Sequence, residues 1–250
     1  MDQKLAVVIM AAGKGTRMKN PDMAKVMYTV DGKPMVEHVV DLALRLRSAR
    51  TIVIVGWQKN SVIDSLRRSG KSVLCVEQSP QLGTGHAVMQ AEPQLKEFTG
   101  DVLVLSGDVP LLTEKTTSNL ISSHRDSGAA ATVLTAVLED PSGYGRILRD
   151  AQGHVVGIVE QKDASEQQQE IKEISSGIYI FQKQPLFQGL KHITQENAQK
   201  EYYLTDVFQY FWRKGLPVRA VLANDPIEIG GINTLQQLDE ARAEYARRIG

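Results

Sequence analysis

The organisation of this chain follows from the stretch LAVVIMAAGKGTRMKNPDMAK, which runs from Leu5 to Lys25. It opens with an apolar run, Leu5 to Met10, that is too short to cross a membrane and has the length of a buried strand. In the loop that follows, Gly13 and Gly15 let a phosphate approach the backbone closely. Three cationic side chains lie in or near this loop: Lys14, Arg17 and Lys25. The stretch therefore predicts a triphosphate-binding loop at the carboxyl end of a first strand.

Two widespread phosphate-binding loops do not match this stretch. A dinucleotide-binding GxGxxG loop needs a third glycine, but Met18 occupies that position after Gly13 and Gly15. A P-loop needs a Gly-Lys pair followed by Ser or Thr, four residues after a first glycine, and this loop lacks that arrangement. Taken alone, the loop leaves a flexible glycine-rich turn as an alternative, although its three cations favour phosphate binding.

Composition and charge exclude several classes of protein. A chain of 250 residues with 42% hydrophobic content is long enough for one large α/β domain, which we expect to span 1–250. Its 29 basic and 29 acidic side chains balance, so neither a nucleic-acid nor a membrane partner is expected. Cys75 is the only cysteine, and the polar start Met1–Lys4 has no signal-like apolar core. We therefore expect a cytoplasmic protein.

Strand-like and helix-like segments alternate along the chain, which is typical of a sheet with crossover helices. Buried strands are predicted at Leu5–Met10, Thr51–Gly56, Ser72–Val76 and Val102–Leu105. Helices are predicted at about 60–68, 204–214 and 234–248. Apolar side chains of the second of these helices are assigned to the core: Val207, Phe208, Phe211 and Trp212. Shorter strand-like segments in the second half include GYGRIL, VVGIVEQK and ISSGIYIF.

Asp108 is the second candidate functional residue. It follows the strand Val102–Leu105 at the carboxyl end, the edge at which open parallel sheets place their ligands. A carboxylate that faces a triphosphate loop is a natural Mg²⁺ ligand, because Mg²⁺ takes one or two protein oxygens and completes its shell with water and phosphate. Aspartate is also a good helix N-cap. The residue pattern alone leaves both roles open.

A set of ordered motifs resembles one known family. The motifs are LAVVIMAAGKGTRM, Lys25-Val26, QLGTGHAV, SGDVPLL, GYGRI, GIVEQKDA, EYYLTDV and GGIN. They occur in the order seen in the uridylyltransferase domain of bacterial N-acetylglucosamine-1-phosphate uridylyltransferases, and they cover nearly the whole chain. Each motif is weak evidence alone, whereas the ordered set is specific for sugar-1-phosphate nucleotidyltransferases.

The resemblance implies a fold and a division of the chain. The expected fold is α/β of the nucleotide-diphospho-sugar transferase type, a Rossmann-like, mixed and mostly parallel sheet flanked by helices. Residues up to about 110 would form a nucleotide-binding half, 111–233 a sugar-binding half and 234–250 a C-terminal helix. The family usually carries a further acetyltransferase domain, which we do not expect within these 250 residues. We therefore expect a stand-alone or truncated uridylyltransferase that is a monomer or a weak homo-oligomer.

The resemblance also implies roles for individual residues. The residues expected to bind the nucleotide are Ala11, Ala12, Gly13, Gln78, Gly83 and Thr84. Arg17 and Lys25 would be catalytic cations that contact the phosphates, and Asp108 and Asn233 would bind Mg²⁺ as the cofactor. The sugar would contact Gly145, Glu160, Ser175 and Tyr203.

One position departs from the family pattern. Where the family has Asn-Thr-Gly, this chain has Ser175-Ser176-Gly177, so the asparagine expected at the sugar is Ser175. A hydroxyl is shorter than an amide and has one donor instead of two, so it would reach the sugar only through water. The sequence therefore leaves open which sugar 1-phosphate is bound.

The expected reaction joins UTP and N-acetylglucosamine 1-phosphate to give UDP-N-acetylglucosamine and pyrophosphate, by in-line attack on the α-phosphorus. Two alternatives remain at this point. One is a nucleotidyltransferase of the same superfamily that uses another sugar phosphate or another NTP. The other is a non-catalytic nucleotide-binding regulator, because a fold can outlast its chemistry.

Overall fold

A mixed sheet of nine strands runs through the described part of the chain, residues 4–18, 20 and 22–249, in a computed structural model. Its strands are β1 (Leu5–Ala11), β4 (Arg50–Val55), β5 (Leu74–Glu77), β6 (Asp101–Ser106), β7 (Ala131–Val137), β8 (Gly145–Arg149), β9 (Val155–Val159), β10 (Glu173–Gln182) and β11 (Val218–Leu222). A separate hairpin consists of β2 (Thr29–Val30) and β3 (Lys33–Pro34). The helices are α1 (Met35–Arg45), α2 (Lys59–Arg68), α3 (Thr84–Met89), α4 (Glu114–Ser127), α5 (Glu166–Gln169), α6 (Lys183–Leu190), α7 (Asp206–Arg213) and α8 (Leu235–Ile249).

The main path of the sheet has the strand order β11-β7-β10-β6-β1-β4-β5. Strands β6, β1, β4 and β5 are all parallel, and β7 pairs in parallel with β11. Strand β10 runs antiparallel to β6, β7 and β8, and β9 runs antiparallel to β8. Only β10 and β9 of these described strands therefore oppose the common direction. The predicted mixed, mostly parallel sheet flanked by helices is confirmed.

Strand β1 shows why the sheet is buried on both faces. Successive side chains of a strand point to opposite faces. Its residues Val7 and Ile9 belong to a core with α1, α2 and α4, whereas Ala6 and Val8 belong to a second core with α3, α6 and α7. All four side chains are fully buried. Since burying a valine or isoleucine contributes about 1.5–3 kcal/mol, these two cores hold β1 in the middle of the fold.

The predicted strands and helices of the first half are confirmed to within a few residues. The helices α4 and α6 and the strand β11 were not predicted from the sequence pattern. The assignment of Trp212 to the core is wrong, since 42% of this residue is exposed, whereas Phe211 is fully buried. Adjacent residues of a helix point about 100° apart, so the residue after Phe211 leaves the buried face. On the exposed face, the ring centroid of Trp212 lies 6.3 Å from the ring centroid of His154.

Among the helices of the described ranges, none combines the length and apolar character that crossing a membrane requires.

Candidate active site

The candidate site lies where β1 and β6 end side by side. The amide of Gly107, just after β6, donates to the carbonyl of Met10 over 2.9 Å. A Cβ atom on Gly107 would lie 3.1 Å from that carbonyl oxygen, so glycine permits the close approach. Asp108 follows directly. Two clefts open along this edge of the sheet, as expected for the carboxyl ends of parallel strands.

The first cleft, here called the nucleotide cleft, has a volume of about 660 Å³. It is lined by Met10, Ala12, Gly13, Lys14, Gly15, Gln78, Pro80, Gln81, Gly83, Thr84, Ala87 and Glu201. The structure thus brings together all the expected nucleotide-binding residues except Ala11. Ala11 is buried in β1 and pairs with Val55 of β4, so it does not line the cleft.

Side chains from outside the first loop fix its shape. The carbonyl of Ala12 accepts hydrogen bonds from the Gln81 side-chain amide, at 2.7 Å, and from the backbone amide of Trp57, at 3.1 Å. Gly15 has a φ of +63°, and a Cβ atom there would collide with the side chain of Lys25. The glycine is therefore needed both for the turn and for the position of Lys25. Gln81 begins the QLGTGHAV motif, but no role was predicted for it, because a glutamine side chain by itself does not indicate a contact with a distant backbone group.

Gln78 closes the far wall of this cleft and is buried. Its amide nitrogen donates to the carbonyl of Gly83 over 2.9 Å and lies 3.2 Å from Nδ1 of His86. Gly83 has a φ of +105°, and a Cβ atom there would lie 2.7 Å from the carbonyl oxygen of Tyr202. The amide of Gln78 is therefore held in one orientation, which suits a group that reads a base by hydrogen bonds.

The second cleft, here called the sugar cleft, has a volume of about 300 Å³. It is lined by Met10, Thr84, Ser106, Asp108, Val109, Gly143, Tyr144, Gly145, Glu160, Ser175, Ser176, Gly177, Tyr179, Gly231 and Asn233. Three of the four expected sugar residues, Gly145, Glu160 and Ser175, line it. Because Met10 and Thr84 line both clefts, the clefts meet at these two residues.

The fourth expected sugar residue, Tyr203, lies away from both cleft linings. It is 5% exposed, and burial raises the pKa of its phenol to about 12. The next residue, Leu204, donates its amide to the hydroxyl of Thr84 over 3.0 Å. In this structure the segment of Tyr203 therefore supports the wall that the two clefts share.

Glu160 and Asp108 both contribute carboxylates to the sugar cleft, and Glu160 lies on the wall expected to bind the sugar. Its Oε1 accepts a hydrogen bond from the Thr205 hydroxyl over 2.8 Å, and a Cβ atom on Gly145 would lie 3.6 Å from its Oε2. Burial raises the pKa of this carboxyl group above its usual value. Gly145 therefore leaves room beside an acceptor that suits sugar hydroxyls.

The cationic centre of the site combines residues from three segments: the first loop, the end of β6 and the segment before α8. The ammonium group of Lys25 donates to Asp108 Oδ2 and, over 2.9 Å, to Asn233 Oδ1. The Arg17 guanidinium donates to the same Asn233 oxygen, also over 2.9 Å. The backbone amide of Ile232 donates to the carbonyl of Asp108 over 3.0 Å, which brings the segment of Asn233 to the end of β6.

The alternative role of Asp108 as a helix N-cap is wrong. The next helix, α4, begins at Glu114, and its N-cap is Thr113, whose hydroxyl accepts from the amide of Thr116 at 3.2 Å. The Asp108 carboxylate is 14% exposed and faces the cleft. It is therefore available for chemistry.

The donor set of this centre fits a magnesium ion. Asp108 and Asn233 offer a carboxylate and an amide oxygen, and both already contact one cation, the ammonium of Lys25. Oxygen ligands are those that Mg²⁺ prefers. No cluster of three or more His, Cys, Asp or Glu side chains occurs in the described ranges that could hold a metal by itself. Such a pair suits an ion that takes its other ligands from water and phosphate.

The nucleotidyl transferase family model matches residues 6–244. The chain belongs to the nucleotidyl transferase family. It is 49% identical over 246 residues to the bifunctional protein GlmU of Heliobacterium modesticaldum, covering 98% of this chain and 53% of that protein. The identity to the bifunctional protein GlmU of Geobacillus thermodenitrificans is 47% over 246 residues, again with 98% and 53% covered. The relationship predicted from the ordered motifs is confirmed, and the chain spans about half the length of these relatives.

Solved structures of the nucleotidyl transferase fold are also similar. A UDP-glucose pyrophosphorylase complexed with UDP-glucose superposes with a TM-score of 0.78 at 17% identity, covering 98% of this chain and 99% of that one. An apo UDP-glucose pyrophosphorylase superposes with a TM-score of 0.80 at 17% identity, covering 99% of this chain and 100% of that one. At this identity the likeness shows the fold, and it confirms the architecture expected from sequence.

Proposed function

We propose that this nucleotidyl transferase makes UDP-N-acetylglucosamine and pyrophosphate from UTP and N-acetylglucosamine 1-phosphate. The observation that carries the proposal is the meeting of two clefts beside Lys25, Asp108 and Asn233. One cleft has the glycine-rich loop and amide groups suited to a nucleotide, and the other has the acceptors suited to a sugar. Relatives named GlmU at 44–49% identity support the choice of reaction.

In this proposal the nucleotide cleft positions UTP. Gln78 and the backbone around Gly83 bind the uracil edge, while the loop of Ala12 and Gly13 lies along the phosphates. Arg17 then neutralises the β- and γ-phosphates, and Lys25 lies nearest the α-phosphorus. The side chain of Lys14 sits over the ring of Trp57, with its ammonium 5.1 Å from the ring centroid, and adds charge at the cleft mouth.

The sugar cleft positions the nucleophile. Glu160 accepts hydrogen bonds from sugar hydroxyls, and Gly145 leaves room for the ring. A phosphate oxygen of the sugar 1-phosphate attacks the α-phosphorus of UTP, the bond to the β-phosphate breaks, and pyrophosphate leaves. The nucleophile is already ionised, so no general base is required, and positioning with charge neutralisation supplies the acceleration.

Asp108 and Asn233 are the residues that would hold Mg²⁺. When bound, the ion supplies charge neutralisation for the reacting and leaving phosphates. Lys25 contacts both of these oxygens, so its ammonium group lies beside the proposed metal site. The proposal includes the division of the chain into a nucleotide half up to about residue 110 and a sugar half from 111 to 233. The expected monomeric or weakly oligomeric state stays a prediction.

Ser175 favours a second candidate substrate. Its short hydroxyl takes the place of a larger amide in the sugar cleft, so another hexose 1-phosphate is the alternative to N-acetylglucosamine 1-phosphate.

Pyrophosphate release tests the proposal. The protein is incubated with Mg²⁺, each of UTP, CTP, GTP and ATP, and the 1-phosphates of N-acetylglucosamine, glucosamine, glucose and N-acetylgalactosamine. We expect the highest kcat/KM with UTP and N-acetylglucosamine 1-phosphate. Turnover with CTP or GTP but not UTP would refute the uridylyl assignment, and a preference for glucose 1-phosphate would establish the second candidate.

A further inference from the structure

Two hydroxyl groups form a pair on the wall of the sugar cleft. Ser175 Oγ lies 2.9 Å from Tyr179 Oη, and either hydroxyl can be the donor. Both residues are almost completely buried, and both line the cleft beside Glu160. No motif pointed to Tyr179, because it lies inside the apolar segment ISSGIYIF, whose pattern indicates only a strand.

An irregularity in β10 brings the two side chains together. Residues four apart in a regular strand are about 13 Å apart. Between Ser175 and Tyr179 the pairing with β7 shifts register, and Gly177 has a φ of +78°. A β-bulge of this kind re-aims side chains and is frequent beside active sites. Both hydroxyls therefore face the same cleft.

The pair is not needed to complete the bulge. Another residue does so, because Ser176 Oγ donates to the carbonyl of Leu134 over 2.7 Å and accepts from the amide of Ile178 over 3.1 Å. The carbonyl of Leu134 and the amide of Ile178 thus have their partner in Ser176, without Ser175 or Tyr179. A purely structural role leaves the cleft position of the two hydroxyls unexplained.

The position of the Tyr179 hydroxyl is fixed from behind. Its ring packs on Phe181 and Phe208, with centroids 5.8 Å and 5.5 Å away. Burial, and secondarily the charge of Glu160, raises the pKa of this phenol above its usual value, so the group keeps its proton at neutral pH. The hydroxyl is therefore a preorganised hydrogen-bonding group on a rigid base.

The pair keeps hydrogen-bonding capacity for a ligand. Two hydroxyls have two donors and four lone pairs, and their mutual bond uses one of each. One donor and three lone pairs remain, and the direction of the mutual bond can reverse. The pair can thus offer a donor or an acceptor at the same place, which suits either a hydroxyl or an acetamido substituent of a sugar.

We propose that the Tyr179 hydroxyl, held by Ser175, contacts the sugar directly and sets which hexose 1-phosphate the enzyme accepts. This inference rests on the proposed function and adds Tyr179 to the sugar-binding residues. Ser175 then acts through Tyr179 as well as on its own, and no bridging water is required to extend its reach.

Steady-state kinetics of Tyr179→Phe, Ser175→Ala and the double variant test this role, with the NTP that the wild type uses and a panel of hexose 1-phosphates differing at C2. Tyr179→Phe should lower kcat/KM for the preferred sugar phosphate about tenfold, the effect of losing about one hydrogen bond. The KM for the NTP should stay unchanged, and the ratio of kcat/KM between C2-acetamido and C2-hydroxyl sugars should change. The loss of kcat/KM in the double variant should be smaller than the product of the fold-losses of the two single variants, because the two hydroxyls act as a unit.

Tyr210→Phe is the matched control, since this partly buried tyrosine of α7 stacks on His192 with centroids 4.7 Å apart, away from both clefts. It should behave as wild type. The inference would be overturned if Tyr179→Phe changed only the melting temperature and kept both the KM for the sugar 1-phosphate and the preference between sugars.

If the wild type turns over no sugar 1-phosphate, the proposed function fails, and calorimetry with N-acetylglucosamine 1-phosphate then decides the inference. Equal binding by wild type and Tyr179→Phe, or none, would contradict it, and weaker binding by the variant would support it.

Discussion

The nucleotide cleft and the sugar cleft are built in different ways. Loops after the parallel strands form the first, and its shape depends on backbone groups and on glycines such as Gly15 and Gly83 at positive φ. Buried side chains on the reversed strand β10 and its neighbours form much of the second. The nucleotide cleft therefore owes its shape mainly to loop backbone, to which side chains such as Gln78 add polar groups, whereas the sugar cleft depends more on buried side chains such as Glu160, Ser175 and Tyr179.

This difference separates a part of the site that is general from a part that is selective. Phosphates can be held in large part by backbone amides once a glycine-rich loop is formed, with cationic side chains such as Lys25 beside them. A sugar is distinguished by the directions of its hydroxyls, and only placed side chains such as Glu160 can read them. Substrate choice should therefore change most easily in the second cleft.

The largest expected effect is at the junction of the clefts. Asp108→Ala removes the carboxylate proposed to hold Mg²⁺ and should lower kcat by about 10²–10³-fold, the usual cost of a preorganised electrostatic group. The backbone carbonyl of Asp108 still accepts from Ile232, so circular dichroism and the melting curve should stay close to wild type. Mg²⁺ removal by EDTA should abolish wild-type turnover.

Asp64→Ala is the control for Asp108, because Asp64 is an exposed residue of α2 that forms an i,i+3 ion pair with Arg67 over 3.4 Å. It should keep full activity. Undiminished turnover in Asp108→Ala would contradict the metal assignment.

A smaller effect is expected in the backbone-built cleft. In Gly15→Ala the new Cβ atom would collide with Lys25, in addition to the strain of a positive φ. We expect kcat/KM for UTP to fall about tenfold or more, since displacement of Lys25 costs at least one charge-assisted hydrogen bond.

Gly70→Ala isolates the backbone strain from the collision. Gly70 has a similar φ of +68°, and nothing lies within 4 Å of a Cβ atom there. This variant should lose only about 1 kcal/mol of stability and keep its kinetics. Equal kinetics for the two alanine variants would show that the contact between Gly15 and Lys25 has no role in the reaction.

The two clefts also differ in how well the sequence predicts them. The strand Leu5–Met10 and its loop have local signals, because an apolar run followed by small residues and three cations favours phosphate binding over a flexible turn. Asp108 could be placed at the functional edge because it follows a strand, although its cap alternative needed the structure to be excluded. The parallel half of the sheet was accordingly predicted almost in full.

The residues of the sugar cleft have weaker signals in the sequence. Glu160, Ser175 and Asn233 entered through the family resemblance, and Tyr179 did not enter at all. Glu160, Ser175 and Asn233 lie on separate segments, and the bulge in β10 brings Ser175 and Tyr179 together. A contact that depends on a register shift leaves no periodic pattern in one sequence.

The smallest expected effect is a pH dependence of folding stability that arises from Asp206, the first residue of α7. Burial, followed by the charges of Glu160 and Asp163, raises the pKa of its carboxyl group from 3.8 to about 6. The folded protein therefore binds this proton more tightly than the unfolded chain, so stability falls as pH rises from about 4 to about 6. Asp206→Asn should raise the free energy of unfolding at pH 7.5 by about 1 kcal/mol, allowing for solvent screening of this partly exposed group.

Urea unfolding at pH 4.5 and 7.5 measures this effect. The gain should be smaller at pH 4.5, where the wild-type group is already protonated in the folded state. Asp64→Asn should show no such difference. A gain in Asp206→Asn that is equal at both pH values would refute the raised pKa.

The central claim is that the two clefts hold two different substrates, and one pair of KM values tests it most directly. Gln78→Leu changes only the nucleotide cleft, and Glu160→Gln changes only the sugar cleft. We predict that Gln78→Leu raises the KM for UTP about tenfold and leaves the KM for the sugar 1-phosphate unchanged, and that Glu160→Gln does the reverse. Variants that each raise both KM values equally, or that exchange these effects, would contradict the account.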